Sequence, residues 1–431
     1  MTTASSDPGR MPRRVLVTGL GVVSCLGLSL DEHWRRLLAG QAGIRALDGA
    51  LPSVLPVKLE APVVGVRVED HIRNRMLRKL LLPSATFAVL AAGHALADAG
   101  LAGDEARLDE CGLYFGSTSY EVAGRTFEPA LRASFGADRV FDFARFAQVG
   151  MEQVDPLLIV KGLPNAAPCG VAIEHGIHGP NASYADGLTS GLQAVASGFE
   201  AVRSRIADVA LVGGSDSLLL ADHFIAHHVA ARLILGDERP WLGARPFDTR
   251  RRGYVLGEGA AVCILEAEDH AHARDARVYG ELLGAGETCV PLRADTDGRA
   301  LEAAARAAMR IRPDEPAEPD VVFASGLGTF DDDQREADAC RRLFPPPANV
   351  LITAATGALG MTGAAGGAFA LVHALLGLRC GTIPPTTGCE CVDPQCAVSV
   401  VRESRTFEMA RALVWASDGA RHVALSIGSM S

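Results

Sequence analysis

The chain has 431 residues, 48% of them hydrophobic but only 5% aromatic, with 46 glycines and a formal net charge of −10. That length buries one large core or two fused ones, and the negative surface, with no run of Lys and Arg interleaved with aromatics, excludes a nucleic-acid-binding role. Ten cysteines scattered along so long a chain read as reduced thiols, and no window approaches the roughly eighteen uninterrupted apolar residues of a membrane span.

Residues 1–12 are polar, lack a signal-peptide core and are expected to be disordered, and the protein is expected to be cytoplasmic. The string RRVLVTGLGVV then predicts a buried strand running into a glycine turn. Its Gly19-x-Gly21 lacks the third glycine and the later acidic residue of a dinucleotide fingerprint, so a tight turn is the expectation and no cofactor is implied. LPSATFAVLAAGHALADAGL predicts a buried helix ending at Gly100, and CGLYFGSTS a strand. Residues 117–160 mix aromatics and charges without a clean period, which suits a capping or interface insertion.

From Ala182 the signals sharpen. Ala182–Ala185 predicts a strand, Asp186–Gly187 a sharp turn, and Thr189–Arg203 a long helix lined with small residues at its start. Such a helix can press its N-terminus into the core and aim unpaired N–H groups at the turn, the place where an α/β enzyme mounts a nucleophile. His175 and His178 are assigned to the strand and turn before Gly179–Pro180–Asn181. His223 and His227 share a helix face but lack the glutamate of a metalloprotease helix, and Cys389, Cys391 and Cys396 lack a fourth ligand and the spacing of a zinc site; no metal is expected. Beyond residue 270 the order of strands and helices begins again. The fold expected is α/β, two duplicated βαβαβ halves (13–270 and 271–431) packed in five layers, α-β-α-β-α.

Five strings, VLVTGLGVVSCLG, KGLPNAAPCGVAIEHGIHGPN, ADVALVGGSDS, RPFDTRRRGYVLGEGAAVCILE and GMTGAAGG followed by IPPTTG, occur in an order that resembles the β-ketoacyl synthase family, the condensing enzymes of fatty-acid and polyketide assembly. The resemblance implies a thiolase-like fold. It also implies a cysteine nucleophile at the turn before the long helix, two histidines that polarise the thioester and assist decarboxylation, a lysine, and a glycine-rich turn carrying a gating phenylalanine. The positions matching these are Leu188, Ser325, Gly360, Ala355 and Ser417. Each chemical side chain is replaced while the scaffold strings survive.

Inactive members of this family, chain length factors, pair with an active ketosynthase and shape the tunnel in which the chain grows. The resemblance therefore implies a non-condensing subunit of a polyketide system (type II or aryl-polyene) or of a fatty-acyl system. An active ketosynthase and an acyl carrier protein are the partners it implies. Where such partners often carry Gln at the nucleophile position, this chain has Leu188. Tyr120, Phe127, Phe143, Phe146 and Leu188 are the candidates for tunnel or interface lining. The alternatives are an acyltransferase or hydrolase using Ser190, beside Thr189 at the same helix N-terminus, and a non-catalytic scaffold homodimer.

Overall fold

The computed structural model describes residues 13–48, 55–118, 124–235, 243–291, 294–310, 318–346, 348 and 350–430. The expected disorder of residues 1–12 and the candidate Tyr120 fall outside the described residues.

In chain order the elements that build the core are β1 (Val15–Ser24), α1 (Leu30–Leu38), α2 (Pro83–Asp98), β2 (Gly112–Gly116), α3 (Ala166–His175), β3 (Asn181–Tyr184), α4 (Ser190–Arg203), β4 (Val209–Ser217), α5 (Ala221–Val229) and β5 (Glu258–Ala267). The second series is β6 (Gly280–Cys289), α6 (Arg299–Met309), β7 (Val321–Phe323), α7 (Phe330–Leu343), β8 (Leu351–Thr353), α8 (Ala365–Cys380), β9 (Ser399–Val400), β10 (Arg411–Ser417) and β11 (Arg421–Gly428). The eleven strands form one sheet in the order β9-β8-β7-β10-β11-β6-β1-β5-β4-β2-β3.

The duplication is written in that order. Outward from the seam where β1 pairs with β6, each half runs through two antiparallel neighbours and then two parallel ones. These are β5, β4, β2 and β3 on one side and β11, β10, β7 and β8 on the other. Helices α4 and α8 touch each other between the two halves, α2 covers β1, β4 and β5 from outside, and α6 covers β6 and β11. The five-layer thiolase-like fold follows, and the middle layer explains why α8, AGGAFALVHALLGLRC, has almost no polar face: a helix buried all round has no solvent stripe to keep.

Two local expectations change. Gly19 and Gly21 do not form a turn, because β1 runs straight through them and all its residues are buried. A Cβ on Gly21 would lie 2.0 Å from Ala91 O, and one on Gly19 2.4 Å from Ala95 O. These glycines let α2 press against the strand. His175 closes α3, which ends in left-handed Gly176, and is not part of a strand; its Nε2 lies 3.0 Å from Val89 O.

Candidate functional site

The sharp turn before α4 is a single tight turn, Gly187–Thr189, with Gly187 at φ +86°. It sets Leu188, half-buried, at the head of α4. Ser190, the first residue of the helix, is fully buried. Its Oγ accepts the N–H of Asp186 at 2.7 Å and donates to Gly187 O at 2.9 Å, so the hydroxyl is engaged in folding its own turn. No imidazole among the described residues is bonded to it.

Small residues then let two helix N-termini meet. A Cβ on Gly191 would lie 2.2 Å from Ala364 O, and one on Gly214 would lie 2.6 Å from the same oxygen. Ala364 precedes α8, and its N–H donates to Asp216 at 2.6 Å. Asp216 also takes the N–H and hydroxyl of Thr118, at 2.8 and 2.6 Å. Backbone cannot yield as a side-chain tip can, so Gly191→Ala should cost at least about 1–3 kcal/mol, read as a lower denaturant midpoint; an unchanged midpoint would mean that the two helix starts are not held this closely.

Between the turn before α4, the N-terminal half of α8 and the ends of β7 and β10 is a cavity of about 40 Å³. Leu188, Ser325, Ala355 and Gly360 all line it, with Phe369, Trp415 and Ala416. Four positions scattered over more than 170 residues thus converge on one space, and its lining contains neither cysteine nor histidine. The fifth, Ser417, is next along the wall: its N–H donates to Ser325 Oγ at 3.2 Å. The cavity is large enough for a few water molecules.

Carboxylates that the sequence did not single out hold the cavity's loops. Glu336 accepts the N–H groups of Ser325 and Gly326 at 3.1 and 2.9 Å, and burial raises its pKa to about 7 against those donors. Asp333 accepts the N–H groups of Phe247 and Gly328 at 2.7 and 2.9 Å; burial pushes it up to about 8. Arg251, almost fully buried, bonds Asp393 at 2.5 Å and stacks on the Phe330 ring. The run RPFDTRRRG is therefore a scaffold for the loop after β7, in which its arginine and the α7 carboxylates are interior fixings.

One layer behind the cavity is a second, smaller one of about 10 Å³ that shares Ala324, Ala355 and Ala370 and is lined by His373. His373 Nε2 lies 2.8 Å from Nε2 of His33, whose Nδ1 lies 2.6 Å from Ser24 Oγ. Phe369 stacks on His33 at 5.6 Å. Burial lowers the pKa of His33 to about 3 and takes His373 well below its ordinary value.

Of the aromatic candidates, Phe143 is 79% exposed and, like Phe146, meets Phe141, with centroids 5.0 and 5.7 Å apart. Phe127 is half-buried in the helix Gly124–Ser134. None of the three lines the cavity. His227 Nδ1 lies 2.8 Å from Tyr254 OH, and Tyr254 is buried in a small apolar cluster.

Residues 12–271 match the model of the β-ketoacyl synthase N-terminal domain, and residues 279–390 that of its C-terminal domain. The chain is 28% identical over 403 residues to 3-oxoacyl-[acyl-carrier-protein] synthase 2 of Coxiella burnetii, covering 92% of this chain and 94% of that one. It is 30% identical over 412 residues to the tetracenomycin polyketide synthase ketoacyl synthase beta subunit of Streptomyces glaucescens, covering 94% and 95%. Among solved structures, the ishigamide ketosynthase/chain length factor superposes with a TM-score of 0.84 at 24% identity over 97% of this chain and 100% of that one, a likeness of fold. No helix among the described residues is long and apolar enough to cross a membrane.

Proposed function

The chain belongs to the β-ketoacyl synthase family, and from that premise we propose that it is a non-condensing member, a chain length factor that pairs with an active ketosynthase acting on acyl carrier protein thioesters. The observation that carries the reading is the lining of the 40 Å³ cavity, where Leu188, Ser325, Ala355 and Gly360 meet without a thiol or an imidazole. Condensation needs a nucleophile to hold the acyl chain and polarising donors at the thioester oxygen; removing one such group costs about two to three orders of magnitude, and their loss together removes useful turnover. Leu188 supplies apolar bulk instead, as the wall of a tunnel requires.

Two surface features support the pairing. β3 is the terminal strand of the sheet among the described residues, so its outer edge is available to a second chain. The insertion presents Val140, Phe143, Met151, Leu157 and Val160, each more than 45% exposed. Exposed apolar side chains concentrated in one segment mark a protein-binding face. Phe143 and Phe146 are proposed as contacts of that face, with Leu188 on the tunnel side.

Co-expression with an intact ketosynthase, followed by size-exclusion chromatography and an elongation assay with acyl and malonyl carrier protein thioesters, tests the reading. The expected result is a one-to-one complex that elongates and a single chain that does not. A β-ketoacyl product from the single chain would overturn it, as would a homodimer that excludes the ketosynthase.

A further inference from the structure

The hairpin beside the cavity carries an arrangement that the pairing role does not use. β10 ends at Ser417, and the register with β11 sets Ser417 opposite His422, so the two side chains share a face of the sheet. Ser417 Oγ lies 2.9 Å from His422 Nδ1. On the other side of the ring, His422 Nε2 faces Asp295 Oδ2 at 3.3 Å. The three residues are 4%, 0% and 4% exposed, and His422 Nε2 and Asp295 Oδ2, though 3.3 Å apart, are hydrogen-bonded neither to each other nor to any other described residue. Asp295 is fixed from behind: its Oδ1 accepts the N–H of Ala300 at 3.1 Å, and its carbonyl accepts Arg335 Nε at 2.7 Å.

This has the order of an activated hydroxyl: a hydroxyl bonded to an imidazole, with a carboxylate 3.3 Å beyond the ring that approaches it without a hydrogen bond. Burial lowers the pKa of His422 while Asp295 opposes it, so the ring is neutral at neutral pH. With its single proton on Nε2, the side that faces Asp295, the Nδ1 lone pair is left to the Ser417 hydroxyl. Ser190 has none of this. Ser417 directly follows Trp415 and Ala416, both on the cavity wall, and its N–H is bonded to Ser325 of the same lining.

We propose that Ser417 is a nucleophile, with His422 as its base and Asp295 as the positioning residue, and that it accepts the acyl group of a thioester presented in the cavity. Ser417 Oγ bonds to the carbonyl carbon and the carbon–sulfur bond breaks. The hydroxyl proton passes to His422 Nδ1 and then to the departing thiolate. Water next attacks the acyl-serine with His422 taking its proton and returning it to Oγ, which releases a carboxylic acid. The activity is acyl-thioester hydrolysis, suited to discarding a stalled chain, and it stands independently of pairing because it is read on the single chain.

The test is acetylation of the purified full chain by p-nitrophenyl acetate, mapped by peptide mass spectrometry. An acetyl group on Ser417 is expected, absent from Ser417→Ala. His422→Gln should slow its formation by about 10²–10⁴-fold, the usual worth of a general base, and Asp295→Asn by a smaller factor. Ser417→Cys keeps the geometry and needs no deletion: its new thiol should react with iodoacetamide faster than the exposed Cys169 and Cys391 of the same molecule. An adduct on Ser190 instead of Ser417, no adduct on Ser417, an unchanged rate in His422→Gln, or a new thiol no faster than Cys169 would each overturn the assignment.

Discussion

Gly360→His, which would place an imidazole where the family resemblance implies one, should unfold the chain instead of arming it. Gly360 sits at φ 72°, ψ −179°, a backbone conformation that only glycine adopts without strain. A Cβ there would stand 2.9 Å from the Ala61 Cβ and 3.0 Å from the carbonyl oxygen of Val255. Strain of about 1–3 kcal/mol and overpacking of about 1–3 kcal/mol add to roughly 2–6 kcal/mol, a large part of a typical domain's stability. Loss of soluble protein, or a clearly lowered thermal transition, is the expected measurement. Leu188→Cys with Ser325→His is the contrasting pair. Leu188 is only half-buried and both positions line open space, so that double variant should fold, accept iodoacetamide at the new thiol, and still form no β-ketoacyl product. A folded, condensing Gly360→His triple variant would show that the site is only switched off by side chains. The conformation of Gly360, φ 72° and ψ −179°, predicts against that outcome.

The contrast shows what kind of information the sequence held. The strand–turn–helix over residues 181–203 was legible because its signals are local: a short strand, Asp186–Gly187, then small residues at a helix start. The convergence of Leu188, Ser325, Ala355 and Gly360 was reachable only through the family resemblance, since no periodicity joins positions so far apart. Gly19-x-Gly21 misled for the same reason. A glycine pair after apolar residues signals a turn locally, but here its meaning is set by a helix seventy residues on, whose carbonyls lie where side chains would go. His175 was placed in a strand because the next motif, Gly179–Pro180–Asn181, precedes one; α3 in fact runs to it and stops at left-handed Gly176.

The groups with the most chemical consequence were the least legible. Ser417 entered as a vanished phenylalanine, but its partners, His422 across a hairpin and Asp295 on the approach to α6, are visible only when the register is known. Glu336 and Asp333 read as ordinary acidic residues of an amphipathic helix, yet both are buried and bind backbone N–H groups of the cavity's loops. A reading by motif finds what a family has in common. The replacements that matter in this chain are polar groups drawn into new pairings, and pairings are tertiary.

The His33–His373 pair gives the second large expected effect, an acid-dependent loss of stability. The two rings meet Nε2 to Nε2 at 2.8 Å inside the middle layer, 0% and 1% exposed, against Phe369 and with no carboxylate among the described residues bonded to either. Burial therefore holds both neutral, His33 with a pKa of about 3 and His373 also far below the ordinary value. In the unfolded chain each regains a pKa of about 6.5. Below that value the unfolded state binds more protons than the folded one, so stability contributed by the pair is complete above about pH 6.5 and is lost as pH falls toward 3. At pH 5 the loss is about 2 kcal/mol for each ring, about 4 kcal/mol for the pair. Asp333 and Glu336, raised by burial, act in the opposite direction over part of this range, so the total curve is not the diagnostic. The difference from a His33→Phe/His373→Leu variant is, because those carboxylates are common to both proteins and cancel. Denaturant unfolding at pH 7.5 and pH 5 should show wild type losing about 4 kcal/mol relative to the variant. Parallel curves at the two pH values would mean that the buried rings take up protons as readily as those of the unfolded chain, and that at pH 5 the wall behind the cavity holds a charge which this arrangement gives nothing to balance.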